Sequence, residues 1–242
     1  MSLLRTIIET ANTLLCRLKR GRRVVPAPHP GDGLVKLNLG CGLAVCEGWL
    51  NVDASLNALI AGWPHSLLKI MYRASGANRY YTLEQYTGLL GSHRFLHHDL
   101  AFNLPFPDNS ADFVYSSHFL EHLFREDARR LLAESLRVLK PGGICRICVP
   151  DLAYAVAQYQ AGKKKAMLEN YFFVEDRASY LARHKYMYDF ELLRDVLQEL
   201  GFVDVRRCSY QEGRTPDIAV LDNRPEETVY VEAAKPAQSS GH

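Results

Sequence analysis

Apolar residues recur at helical spacing over residues 3–18. Leu3, Leu4, Ile7, Ile8, Ala11, Leu14, Leu15 and Leu18 line one side, and polar residues fill the other. Pro26, Pro28, Pro30, Gly31 and Gly33 break this pattern and mark a linker. From Leu34 the chain changes to short strand-like runs at 34–39, 49–52, 95–98, 111–115 and 144–149; Asp53 closes the second and Asp99 the third. A helix is predicted over 125–139, with Ala128, Leu131, Leu132, Leu136 and Leu139 as its apolar stripe and Pro141-Gly142-Gly143 as its stop. A second is predicted over 189–200, ending near Gly201, and β-prone runs follow at 202–208 and 228–233. Residues 54–93 form a long insertion with scattered aromatics, Trp63, Tyr72, Tyr80, Tyr81 and Tyr86. The alternation predicts an α/β fold, a doubly wound, mostly parallel sheet with helices on both faces. Two final strands with no helix between them predict an antiparallel pair at one edge.

The chain thus divides into an N-terminal amphipathic helix with a basic, proline-containing linker (1–30), an α/β domain (31–234) whose insertion at 54–93 is a candidate lid, and a tail (235–242) expected to be disordered. Its 242 residues suffice for one such domain, and 48% hydrophobic with 23% charged residues is ordinary for a globular protein. A net charge of +2 gives no reason to expect a nucleic-acid partner. Charge is concentrated instead at Arg17, Lys19, Arg20, Arg22 and Arg23, just after the apolar stripe. No apolar window reaches about 18 residues, so no membrane-spanning helix is expected. Arg5, Glu9, Asn12 and Thr13 interrupt the N-terminal stripe, which is unlike a signal peptide. The six cysteines, Cys16, Cys41, Cys46, Cys145, Cys148 and Cys208, form no disulfide framework and read as reduced, in a cytoplasmic protein. Cys145 and Cys148 lie on one predicted strand, where residues three apart face opposite ways, so they are not expected to share a metal.

Gly40-Cys41-Gly42 directly follows the first strand. Glycines there allow a close backbone approach to a ligand, and the N–H groups of such a turn suit a carboxylate or phosphate. In open α/β sheets, ligands bind at the carboxyl ends of the strands. Three successive strands here end in polar residues: Asn38 to Gly42, then Asp53, then Asp99. An acid after the second strand can accept from both ribose hydroxyls, and one after the third from an adenine amine. A dinucleotide fingerprint would need a third glycine where Val45 stands and an acid about 20 residues on. That reading is disfavoured.

Leu37-Asn38-Leu39-Gly40-Cys41-Gly42, the Asp53 and Asp99 stops, Leu104-Pro105-Phe106-Pro107-Asp108, His118-Phe119-Leu120-Glu121-His122 and Leu136-Arg137-Val138-Leu139-Lys140-Pro141-Gly142-Gly143 resemble the class I S-adenosylmethionine-dependent methyltransferases of the type-11 group. The resemblance covers roughly residues 34–233. It implies a seven-stranded sheet with the last strand antiparallel and S-adenosylmethionine as cofactor. It further implies that Asn38, Gly40, Cys41 and Gly42 border the methionine part, Asp53 the ribose, Asp99 with Leu100 the adenine, and that Ser116 and His118 lie beside the sulfonium. Many members carry an acid in place of Asn38, so contact with the methionine amine is weaker or water-mediated here. The stretch from Gly42 to Asp53 is too short for a full first helix, which is expected to be truncated. Val114-Tyr115-Ser116-Ser117-His118, with the later His184-Lys185-Tyr186-Met187-Tyr188-Asp189, resembles a bacterial subgroup linked to surface-polysaccharide assembly.

Methyl transfer to a hydroxyl needs a base, and histidine suits the task. His118 and His184 are the candidate catalytic residues. Asp151 is a weaker one, and His122 is expected to pack at a helix start. The expected acceptor is a sugar hydroxyl on a glycan or glycolipid, with a small natural-product hydroxyl or a carboxylate as alternatives. Two rival readings are a non-catalytic binding scaffold and a zinc hydrolase built on His118-x-x-Glu121-His122, which matches an H-x-x-E-H pattern. No metal site is expected, because that pattern falls inside the cofactor arrangement. The apolar stripe of residues 3–18 needs a cover. The domain's own flank, a second subunit in a homodimer, or the inner face of a membrane contacted through residues 3–23 can supply it. Trp63, Leu67, Leu68, Ile70 and Met71 could add a second membrane contact.

Overall fold

The computed structural model describes residues 3–19, 21–172 and 183–238, with the side chains of 3–9 and of Ala74 left aside. Seven strands form one sheet: β1 (Lys36–Leu39), β2 (Trp49–Asp53), β3 (Arg94–His97), β4 (Ala111–Ser117), β5 (Leu139–Pro150), β6 (Val203–Cys208) and β7 (Thr228–Ala234). Their order is β3-β2-β1-β4-β5-β7-β6. All pairings are parallel except those of β7, which runs against both β5 and β6. The predicted doubly wound sheet with an antiparallel last strand is what forms. The final two strands do pair, but β7 lies inside the sheet and β6 takes the edge.

The central strands are buried at most positions because helices cover both faces, and the buried set includes polar Asn38, Asn51, Arg146 and Glu232 as well as apolar residues. Leu37, Leu39, Val52, Val114, Cys145, Ile147, Val149, Val229 and Val231 are buried in one core with Leu131 and Leu132 of α5 (Arg125–Val138) and Leu193 and Leu197 of α8 (Phe190–Glu199). Cys148 belongs to a second cluster with Trp49, Tyr115 and Tyr230. Cys145 and Cys148 therefore do face opposite ways, and all six cysteines are free.

Several boundaries depart from the pattern-based expectations. The first helix, α1 (Leu3–Leu18), is as predicted, but β5 begins at Leu139, and Pro141 and Gly142 are exposed positions within it rather than a helix stop. Helices α6 (Leu152–Gln160) and α7 (Lys164–Tyr171) and the short α9 (Ile218–Leu221) were not legible as periodic patterns. The insertion folds as α2 (Leu56–Ile60), α3 (His65–Ala74) and α4 (Leu83–Ser92) around a small core of Ile60, Leu68, Ala77, Tyr86 and Leu90. Leu68 is thus inside this block, while Trp63, Leu67 and Ile70 remain exposed. Thr82 and Gln85 close a capping box at the start of α4.

The linker is laid along the domain: the Val24 N–H donates to the Pro105 carbonyl at 2.7 Å, and Arg94 reaches the Ala27 carbonyl at 3.2 Å. At the other end, the Lys235 ammonium is tied to Asn109 Oδ1 and to the carbonyls of Arg137 and Leu139, so the tail begins after it. Residues 239–242 and Arg20 lie outside the described residues. No helix among the described residues is long and apolar enough to cross a membrane.

The described side chains of α1 dock through Asn12 and Cys16. Asn12 donates to the Ala54 carbonyl at 2.6 Å, and its Oδ1 and the Cys16 thiol both meet His97 Nε2, at 2.8 and 3.5 Å. Leu14, Leu15 and Leu18 are left exposed. The expectation that the domain's own flank covers this stripe fails for these three residues.

Candidate active site

Strand register brings the predicted cofactor residues to one end of the sheet. Leu39 lies opposite Val52 on one side and Ser116 on the other, and Asp53 lies opposite His97. Gly40, Asp53, Asp99 and Ser116 are therefore neighbours at the carboxyl ends of β1 to β4. Gly40 and Gly42 adopt φ of 70° and 52°, the left-handed region that glycine enters without penalty. A Cβ on Gly40 would lie 2.0 Å from Phe119 Cγ, so the turn also needs glycine for space. A Cβ on Gly42 would meet nothing within 4 Å, which leaves this side of the loop open.

No helix follows Gly42. Nine residues, 40–48, return the chain to β2 without one, a correction to the expected truncated helix. Nine residues can span about 30 Å when extended, enough to run back past a four-residue strand. Asn38 braces this loop. Fully buried, it donates to the Ala44 carbonyl and to Asn51 Oδ1, both at 2.9 Å. Both of its amide N–H groups are thus used within the protein, and they hold the loop against β2. Cys41 is buried, and burial, reinforced by Asp53, pushes its thiol well above the ordinary range. It remains a neutral thiol at physiological pH.

Asp53 accepts from the Gly42 N–H at 2.9 Å through Oδ2 and from the Ser55 N–H at 2.7 Å through Oδ1, which ties loop to strand end. Asp99 Oδ1 accepts from the Ala101 N–H at 3.0 Å, and Leu100 is buried beside it. Ser116 Oγ is buried with no hydrogen-bond partner among the described residues. An open glycine turn, two half-buried carboxylates and an orphaned hydroxyl fit a ligand that carries a charged amino-acid end, a diol and an exocyclic amine.

A cavity of about 370 Å³ adjoins this row at the ends of β4 and β5. Its wall holds His118, His122 and His184, together with Glu121, Asn170 and Tyr171, and Arg224, Glu226 and Glu227 stand at its exposed rim. His118 turns off β4 at φ 50°, anchored by its N–H to the Cys148 carbonyl. Its Nε2 is 3.0 Å from Thr228 Oγ1 and its Nδ1 is 3.6 Å from Glu121 Oε1. Burial lowers the pKa of His122, with the neighbouring Glu121 working the other way. The segment carrying His184 is pinned because the Lys185 N–H donates to the Glu121 carbonyl at 2.7 Å. The centroids of the His122 and His184 rings lie 5.1 Å apart.

His122, expected to pack at a helix start, thus lines the cavity. Asp151 is engaged elsewhere: it caps α6 at the Ala153 N–H and pairs with Arg207 at 2.8 Å. Leu120–His122 form a 3-10 turn. The two histidines of the H-x-x-E-H pattern do not share an α-helical face, as that hydrolase arrangement requires. Among the described residues, the group able to hold a metal is Glu121, His122 and His184, without His118.

Replacing Asp53 by alanine is expected to weaken S-adenosylmethionine binding by about 1.5–3 kcal/mol, the range for a hydrogen bond to a charged group. Calorimetry on the folded variant measures it, and unchanged affinity would remove Asp53 from the cofactor site.

Residues 70–147 match the type-11 methyltransferase domain family. The match runs from α3 through β4 and α5 into β5 and includes Asp99, Ser116 and His118. Solved structures of similar fold include an S-adenosylmethionine-dependent methyltransferase from Thermotoga maritima, described as a possible histamine N-methyltransferase, at 17% identity over 84% of this chain and 82% of that one, with a TM-score of 0.46. One from Archaeoglobus fulgidus is 17% identical over 96% and 94%, with a TM-score of 0.47. A putative O-methyltransferase from Nostoc punctiforme is 13% identical over 94% of this chain and 57% of that one, also at 0.47. At these scores none of them bears on function. The family match does: the chain carries a methyltransferase domain, an enzyme whose cofactor is S-adenosylmethionine, on a seven-stranded mixed sheet.

Proposed function

We propose that this methyltransferase acts on an oxygen acceptor, a sugar hydroxyl on a glycan or glycolipid. The observation that carries the reading is the cavity wall, in which histidines, carboxylates, an amide, a phenol and a guanidinium outnumber apolar groups. Such a wall suits a polyol and disfavours an apolar acceptor. Gly40, Cys41 and Gly42 would border the methionine end of the cofactor, with Asn38 acting through the loop. Asp53 would hold the ribose, Asp99 with Leu100 the adenine, and Ser116 would lie near the reacting end. S-adenosylmethionine supplies a methyl group already activated by its sulfonium. The chain's task is therefore to orient and dry the acceptor and to take its proton. His118 stands between the cofactor row and the cavity and is the proposed base. The Glu121 carboxylate, 3.6 Å from its Nδ1, balances the charge the ring acquires. His184 is the second catalytic candidate, on the same cavity wall.

Incubation with labelled cofactor and a panel of free and lipid-linked glycans tests this. The expected product is an ether, stable to mild base. A base-labile methyl ester would point to the carboxylate alternative, and transfer to nitrogen would sink the oxygen reading.

A glycolipid acceptor calls for a membrane surface. The exposed Leu14, Leu15 and Leu18 of α1, next to exposed Arg17, Arg22 and Arg23, suit the interface of an anionic bilayer, where each basic residue contributes about 1 kcal/mol. The full chain is expected to sediment with anionic vesicles, and the Leu14→Ser, Leu15→Ser, Leu18→Ser variant to stay in solution. Equal sedimentation of the two would sink the membrane reading. A wild-type dimer that the triple variant dissolves without vesicles would assign the stripe to a second copy.

A further inference from the structure

Glu121 is 1% exposed, and neither of its carboxylate oxygens has a hydrogen-bond partner among the described residues. A buried carboxylate in that state is strongly unfavourable unless a positive charge compensates it. The two imidazoles beside it are oriented in a specific sense. His184 Nδ1 is 2.7 Å from the Tyr171 carbonyl oxygen, and His122 Nδ1 is 3.3 Å from that of Arg183. A carbonyl oxygen only accepts, so each Nδ1 carries the hydrogen and each neutral ring keeps its lone pair on Nε2. His122 Nε2 then faces Glu121 Oε1 at 3.8 Å. One potential ligand atom from each of Glu121, His122 and His184, a carboxylate oxygen and a ring nitrogen of each histidine, lies within 4.8 Å of the others. Electron-rich groups held this close repel one another unless a cation sits among them. A histidine that gives its far N–H to a backbone carbonyl and turns its other nitrogen inward is oriented as metal ligands are.

We propose that Glu121, His122 and His184 bind a divalent transition-metal cation of the zinc or manganese kind, with its remaining positions open to the cavity. Two histidines and one carboxylate are a complete protein share for an open catalytic site. Bonds of about 2.0–2.2 Å hold ligand atoms at most roughly twice that distance apart, so the three groups need to draw in only slightly. The H-x-x-E-H stretch alone does not disclose this site, because its third ligand arrives from the segment after α7. The use of the cation rests on the oxygen-acceptor reading above. Neighbouring hydroxyls of a sugar would complete its coordination, and a hydroxyl on a divalent cation is a stronger acid. Its O–H bond breaks towards His118 Nδ1, which takes the proton, and the electron pair stays on the oxygen.

Titration of the metal-free native protein with Co2+, followed by visible absorption, is expected to show one equivalent bound and displaced by Zn2+. Glu121→Gln and His184→Gln should each weaken Co2+ binding by more than about 100-fold, beyond the effect of losing an outer partner, while His118→Gln changes it less than about threefold. S-adenosylmethionine affinity, measured on each variant, reports an intact fold. Should a variant fail to fold, pulsed EPR of the Cu2+-loaded native protein decides: two histidine nitrogens support the site, and fewer overturn it. No stoichiometric Co2+ binding by the native protein, or undiminished binding in either folded ligand variant, also overturns it. Co2+ binding that depends on these residues, in a protein that methylates no hydroxyl acceptor, would uphold the cation site and refute the acceptor reading.

Discussion

Replacing Arg146 by methionine is expected to cost about 3–5 kcal/mol of folding stability, the range for removing one partner of a buried ion pair. Arg146 sits on β5 with no exposure, and all five of its N–H groups are used. Nε and Nη2 grip both oxygens of Asp222, at 3.2 and 2.6 Å, and Nη2 also donates to the Ser209 carbonyl. Nη1 reaches the Glu212 carbonyl at 3.1 Å and Glu232 Oε1 at 3.4 Å. Methionine fills much of the volume but leaves two buried carboxylates without their shared cation. Among the described residues, Asp222 would keep the Tyr115 hydroxyl, the Gln211 N–H and a weak thiol contact from Cys148. Such a loss is a large part of the 5–15 kcal/mol that holds a domain together. The midpoint of denaturant unfolding measures it, and a loss under about 1 kcal/mol would show that the network is not a structural clamp. The same network predicts acid sensitivity. Burial opposes ionisation of Glu232, but donors from Arg214 and Thr215 outweigh it and hold its carboxyl below the ordinary range. A depressed folded pKa contributes stability above the ordinary glutamate pKa of about 4.3. That contribution disappears as pH falls through the folded value.

His118→Ala is expected to lower turnover by about 10²–10⁴-fold on the true acceptor, the usual contribution of a positioned base. Cofactor affinity should stay within a few-fold, because Asp53, Asp99 and the glycine loop are untouched. The split matters: a substitution that merely loosened the fold would weaken cofactor binding as well. His118 is suited to the role by place, since Ser116 two residues earlier lies beside Leu39 at the cofactor loop while the His118 ring is part of the cavity wall. Turnover at saturating concentrations of both substrates is the measurement. Near-wild-type turnover by His118→Ala and His184→Ala alike would show that neither is the base.

Local pattern carried the parts of this protein that depend on burial along one element. A strand covered on both faces draws apolar residues, so Leu37, Leu39, Val114 and Val149 announce theirs, and Asp53 and Asp99 mark where two of the strands end; the buried Asn38 and Arg146 on the same strands are placed by partners that pattern does not show. α5 and α8 are legible because one face is buried and the 3.6-residue period records it. The same logic explains what stayed hidden. Periodicity shows that residues 3–18 form a helix but not which side docks, and contacts from Asn12 and Cys16 to His97 leave Leu14, Leu15 and Leu18 exposed. Pro141-Gly142-Gly143 reads as a stop, yet pairing of Leu139 with Ala111 extends β5 through it. Which strand takes the edge is decided by hydrogen-bond partners far away in the chain, and β7 pairs with both β5 and β6. The grouping of Glu121, His122 and His184 is of the same kind. Each residue is visible in the sequence, but their proximity depends on the Glu121 carbonyl accepting the Lys185 N–H across a long stretch of chain. Burial leaves a local periodic trace in the sequence; long-range pairing leaves none, because it is chosen by the free energy of the assembled fold.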